Sequence, residues 1–150
     1  MRVSRSVDYA VRALIYLAMH DGGDLHRIAE AQRIPQAYLA KVMHRLVRRG
    51  LVRSSVGRDG GYTLRKPPHA ITVREILEAV EGELHLLDCY FGTEECFFIN
   101  QNCTQLRFWN HLQQLILHTL EQTTLQDLLP QTYEPEVPHE RPAAAQAANP

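Results

Sequence analysis

Apolar residues recur at three- and four-residue intervals from the start of the chain. Val7, Val11, Leu14, Ile15 and Ala18 mark a helix from about Ser4 to His20 that stops at Asp21-Gly22-Gly23. Asp24 then stands as an N-cap before a short second helix, which turns Leu25, Ile28 and Ala29 inward and ends near Arg33 and Ile34. Pro35 suits the first turn of a third helix, because it lacks an N–H that would be unpaired there anyway. That helix ends at Gly50. Its apolar side is Leu39, Val42, Met43 and Leu46, which leaves Gln36, Tyr38, Lys41 and Arg45 to reach outward. This is helix-turn-helix order.

The period then changes. Residues 51–55 and 62–64 read as two short strands, joined by Val56-Gly57-Arg58-Asp59-Gly60-Gly61, a loop rich in residues that tolerate positive φ. A hairpin after the third helix is a wing. Thr72 and Glu75 form a capping box that opens a helix through Val80, ended by Gly82. Asp88 to Asn102 show no clear period. From Thr104 to about Glu121 helical spacing returns with Leu106, Phe108, Trp109, Leu112, Leu115, Ile116 and Leu120. Apolar over more than half its circumference, this helix is expected to be buried on two sides, one against its own domain and one against a partner chain. The Pro- and Ala-rich stretch from Pro130 has too little apolar surface to order itself.

The expected fold is therefore mainly α with a small β-hairpin, a winged helix-turn-helix followed by a long dimerisation helix. The expected division is residues 1–82 for the winged helix and 83–103 for a cysteine-bearing loop. Residues 104–129 form the dimerisation helix with a short closing helix, and 130–150 a disordered tail. Leu106, Trp109, Leu112, Ile116 and Leu120 are the candidate dimer contacts.

Charge gives this fold a partner. The net charge is only −1, yet 14 of the 16 Lys and Arg residues lie at or before Arg74 and 12 of the 17 acids after it, so +9 faces −10. Such asymmetry points one half of the chain at a polyanion. No acid occurs between Ala31 and Arg58, a window with seven Lys and Arg residues that spans the third helix and the wing. A helix fits the major groove of double-stranded DNA, so Gln36, Tyr38, Lys41 and, less directly, Arg45 are candidates to meet bases or phosphates. Arg58 at the wing tip can enter the minor groove, with Gly60 and Tyr62 completing the candidate surface. No apolar run approaches a membrane span, which predicts a cytoplasmic protein. With no nucleotide-binding glycine loop and no paired nucleophile and base, enzyme chemistry is not expected.

Cys89, Cys96 and Cys103 are separated by six residues each time. An odd number of cysteines without an export signal disfavours a disulfide framework, leaving reduced thiols or metal ligands. The spacing matches neither structural zinc pairs nor ferredoxin runs, so unrelated reduced cysteines remain an open reading.

Met1-Arg2-Val3-Ser4, Asp8 through Leu14, Ile34-Pro35 with Tyr38-Leu39, the wing Gly57, Gly60-Gly61-Tyr62, and three cysteines before a long helix occur together. Over residues 1 to 129 the chain resembles the iron-sulfur winged-helix transcriptional repressors exemplified by NsrR and IscR, most closely the NsrR branch of nitric-oxide sensors. The resemblance implies a homodimer on a palindromic operator. It also implies an iron-sulfur cluster, 4Fe-4S rather than 2Fe-2S, held by Cys89, Cys96, Cys103 and an Asp from the other protomer, a place Asp8 occupies. IscR-like members instead use a His where this chain has Leu106. Asp8 also reads as a first-turn acid favoured by the helix dipole, and His85, His111 and His118 are possible substitute ligands. The alternatives are a regulator of the same fold responding to redox state or to iron or iron-sulfur status, and a cluster-free thiol-based regulator.

Overall fold

The structure, a computed structural model, describes residues 3–57, 60–86 and 104–130. The elements run α1 (Arg5–His20), α2 (Leu25–Gln32), α3 (Gln36–Arg48), β1 (Val52–Ser55), β2 (Gly61–Leu64), α4 (Val73–Glu81) and α5 (Thr104–Gln122). Single 3-10 turns lie at Pro68–Ala70 and Gln126–Leu128.

The two expected capping signals, Asp24 and the Thr72–Glu75 box, form their bonds, and Ser4 adds a cap that was not expected. Ser4 accepts the Val7 N–H and Asp24 the Arg27 N–H, so α1 and α2 each begin with an orphan donor satisfied. Asp21, in left-handed conformation with φ of 52°, ends α1. In the capping box, the Thr72 hydroxyl accepts from the Glu75 N–H and the Glu75 carboxylate from the Thr72 N–H, both at 3.1 Å.

Pro35 departs from expectation. It is the N-cap of α3 rather than a first-turn residue, with ψ at 123°. Proline fixes φ and leaves ψ free, and here ψ is extended because the chain is still leaving the α2 turn. In that turn Arg33 takes a φ of 51° and its N–H returns to the carbonyls of Ala29 and Glu30.

The core lies where α1, α2, α3 and α4 meet. Val7, Ala10, Ala13, Leu14 and Leu17 bury the inner side of α1, while Val11, Ile15 and Ala18 sit half-buried at its edge. The inward stripe is thus rotated from the one marked by the larger residues, because Ala10 and Ala13, fully buried, let α1 pack closely on α3 and α4. Ile28 and Ala29 of α2, Leu39, Val42, Met43 and Leu46 of α3, and Ile76, Ala79 and Val80 of α4 join it, with Ile34, Leu51, Val52, Ile71 and Leu125 from the connections and the first strand. Each fully buried large aliphatic side chain contributes roughly 1.5–3 kcal/mol.

The hairpin pairs antiparallel in the register Val52 with Leu64, Arg53 with Thr63, Ser54 with Tyr62 and Ser55 with Gly61. Its base is held from the side. Gly23 exchanges both backbone hydrogen bonds with Tyr62, at 3.0 and 2.8 Å, so the α1–α2 turn pairs with the wing.

Helix α5 packs on α4. Arg74 donates to Glu78 at 2.8 Å and reaches Glu121 of α5 at 3.4 Å. The C-terminal end of α5 is also fastened: Val73 N–H donates to the Thr123 carbonyl and Leu125 N–H to the Ile71 carbonyl, both at 2.8 Å. Among the described residues α5 is covered along one side. Gln113 is its buried residue among those described, whereas Phe108 and Leu115 are 60% and 52% exposed.

Candidate nucleic-acid interface and cysteine segment

Because its apolar side faces the core, α3 turns Gln36, Ala37, Tyr38, Lys41, His44, Arg45 and Arg48 to solvent. These residues include no acid, so the surface offers hydrogen-bond donors and positive charge without internal neutralisation. The expected contacts differ in how free they are. Gln36 and Lys41 project without a side-chain partner among the described residues. Tyr38 is 40% exposed, but its hydroxyl is 2.8 Å from the Ser6 hydroxyl and its ring stands edge-on to Tyr9 at 5.3 Å. It is therefore set in place by the first turns of α1. Arg45 spends a donor within the protein, Nη1 donating to the Val80 carbonyl of α4 at 2.7 Å.

The wing continues this surface. Arg58 lies outside the described residues, as does Asp59. Gly60 is required by space: a Cβ there would lie 2.7 Å from the Ser55 carbonyl oxygen and 2.9 Å from that of Gly57. Tyr62 is half-buried against the core, and its backbone makes the Gly23 bridge. Gly60 shapes the turn of the wing, and Tyr62 ties its second strand to the α1–α2 turn.

Cys89, Cys96 and Cys103 lie outside the described residues. Among the described residues, no group of three or more His, Cys, Asp or Glu side chains can hold a metal ion. Asp8 sits on the first turn of α1 with its carboxylate 53% exposed, 3.3 Å from the Arg12 guanidinium. Arg12 also donates to the Gln32 carbonyl at the end of α2. An exposed carboxylate and three thiols are a donor set of the kind iron takes, hard oxygen beside soft sulfur. His111 and His118 are exposed on α5 and His85 is half-buried before the cysteine segment.

Of the expected dimer contacts, Leu106, Trp109, Ile116 and Leu120 are half-buried on the side of α5 that carries Gln113. Leu112 lies toward the side of Phe108 and Leu115. Those two exposed residues were not among the expected contacts. On a helix apolar over more than half its circumference, spacing alone does not say which stripe its own domain covers.

Among the described residues no helix is long and apolar enough to cross a membrane. The profile of the Rrf2 family, described as iron-dependent transcriptional regulators, matches residues 3–131. The HTH-type transcriptional regulator NsrR of Shouchella clausii is 31% identical over 132 residues, covering 86% of this chain and 89% of that protein. Among solved structures, IscR of T. potens is 29% identical with a TM-score of 0.70, covering 92% of this chain and 93% of that one. CymR, the global cysteine regulator of B. subtilis, is 28% identical with a TM-score of 0.67, covering 85% and 95%. A match over most of the length, on a winged helix whose outer helix is acid-free and basic, means that this chain belongs to the Rrf2 family of DNA-binding transcriptional regulators.

Proposed function

We propose that this chain is a homodimeric repressor that occupies a palindromic operator and senses nitric oxide through an iron-sulfur cluster bound by its three cysteines. The observation that carries the reading is the position of those cysteines. Cys89, Cys96 and Cys103 fall in the stretch between α4, which packs on the DNA-facing α3, and α5, whose exposed Phe108 and Leu115 face a second subunit in this proposal.

Gln36, Tyr38 and Lys41 of α3, with Arg58, Gly60 and Tyr62 of the wing, form the reading surface in this proposal. Paired through α5, two such surfaces stand about one DNA turn apart, roughly 34 Å. Cys89, Cys96 and Cys103 supply three thiolates, and Asp8 of the partner subunit supplies the fourth ligand. A bound cluster with one carboxylate-ligated iron would offer a position where a small molecule can react. Asp8 is able to serve because its carboxylate is exposed and its Arg12 partner also has the Gln32 carbonyl to hold it. Losing Asp8 from the site cuts a link between subunits and shifts the reading heads relative to each other.

Native mass spectrometry of protein purified without oxygen tests this. A dimer heavier by one four-iron, four-sulfide unit per subunit is expected, and nitric oxide should then release it from DNA. A two-iron mass would replace nitric oxide with redox or iron status as the signal. A dimer that resists reconstitution would make the chain a thiol-based regulator.

A further inference from the structure

Arg45 projects from the exposed side of α3, where a basic residue would ordinarily be read as a phosphate contact. Its guanidinium turns instead toward α4. Between the C-terminal halves of these helices lies an open cleft of about 490 Å³, lined by Arg45, Arg48, Arg49 and Val80 among others. Arg45 spans it, and its bond to the Val80 carbonyl is the hydrogen bond joining α3 to α4 among the described residues. The acceptor is one of the last carbonyls of α4, which have no partner within the helix and form the negative end of its dipole, so a guanidinium there is favoured twice over.

The residues just beyond Val80 give the contact its meaning. Glu81 accepts the Ser4 hydroxyl at 2.6 Å, Gly82 ends the helix, and Leu86 N–H donates to the buried Gln113 of α5 at 3.0 Å. The cysteine segment begins directly afterwards. Its near end is thus pinned to the reading helix by Arg45, to the cap of α1 by Glu81 and to α5 by Gln113. The first of these pins reaches the DNA-facing element, and it crosses an open cleft.

We infer that Arg45 is a positioning residue that transmits the state of the cysteine segment to the reading helix, and that it does not serve as a DNA contact. This role rests on the sensory reading of the cysteines under the proposed function. A rearrangement among the cysteines pulls on the end of α4, and the Arg45–Val80 bond passes that displacement to α3.

A double-mutant cycle on the full-length dimer tests it, with Arg45→Met and Cys96→Ser and with affinity for a selected operator duplex as the readout. In the parent protein Cys96→Ser should weaken binding by about tenfold, within the usual range of coupling between sites. In the Arg45→Met background that effect should shrink to about twofold or less. Arg45→Lys, which keeps a donor, should restore part of it. Arg45→Met should also leave the slope of log affinity against log salt unchanged, whereas loss of a phosphate contact lowers it by about one. An equal effect of Cys96→Ser in both backgrounds, or a reduced salt slope, overturns the inference. No effect of Cys96→Ser in the parent overturns the sensory reading itself and this role with it.

Discussion

Replacing Gly61 with alanine should detach the wing from the rest of the domain. A Cβ at Gly61 would lie 2.8 Å from the Gly23 carbonyl oxygen and 3.0 Å from its carbon. Both are backbone atoms, so no side chain can swing aside, and the α1–α2 turn must move away from β2. The two hydrogen bonds between Gly23 and Tyr62 are then lost. At roughly 0.5–1.5 kcal/mol each they amount to about 1–3 kcal/mol. At about 2–4 °C per kcal/mol for a chain of this size, melting followed by circular dichroism should fall by about 2–12 °C. DNA affinity measured by fluorescence anisotropy at fixed salt should fall as well, because the wing no longer meets the groove at a set angle to α3. Val56→Ala, at a fully exposed position, is the control and should change melting little. A Gly61→Ala protein that melts and binds like its parent would refute the assignment of wing orientation to this bridge.

Leu125 is fully buried where the chain returns from α5 to the domain, so Leu125→Ala should cost about 2–5 kcal/mol, read by chemical denaturation. Lys41→Ala should weaken binding to all duplexes alike and lower the salt slope by about one, as for a phosphate contact; a loss confined to one operator sequence would make Lys41 a base reader instead. The Asp127 carboxyl is held below the ordinary carboxylate range by the Thr124 hydroxyl and N–H. A lowered folded-state pKa means that its stabilisation is complete above the unfolded value and is lost as pH falls through the folded one. Acid titration of stability should accordingly be shallower in Asp127→Asn than in the parent at the low-pH end, and identical curves would show that the turn adds nothing.

The helices were legible because their signals are local. Asp24 and the Thr72–Glu75 box each act within three residues, and the chain shows those bonds. The inner stripe of α1 was less so, since Ala10 and Ala13 are weak hydrophobic markers whose burial depends on how closely α3 and α4 approach. The solvent-facing side of α3 followed from its apolar side by elimination. Which of its residues are already engaged did not, because Ser6 with Tyr38 and Arg45 with Val80 are separated by 32 and 35 positions in the chain. The Gly23–Tyr62 bridge is of the same kind, a contact between backbones that no side-chain pattern records.

The fastening of α5 at its C-terminal end has a consequence for how this regulator diversifies. Bonded through Thr123 and Leu125 to Val73 and Ile71, and braced by Arg74, α5 is tied to the domain at its C-terminal end. In the proposed dimer the distance between half-sites is then written on its outward side, around Phe108 and Leu115, while the preferred bases are written on α3 and the wing tip. The two surfaces share no residue, so operator spacing and operator sequence are set by different side chains in this proposal.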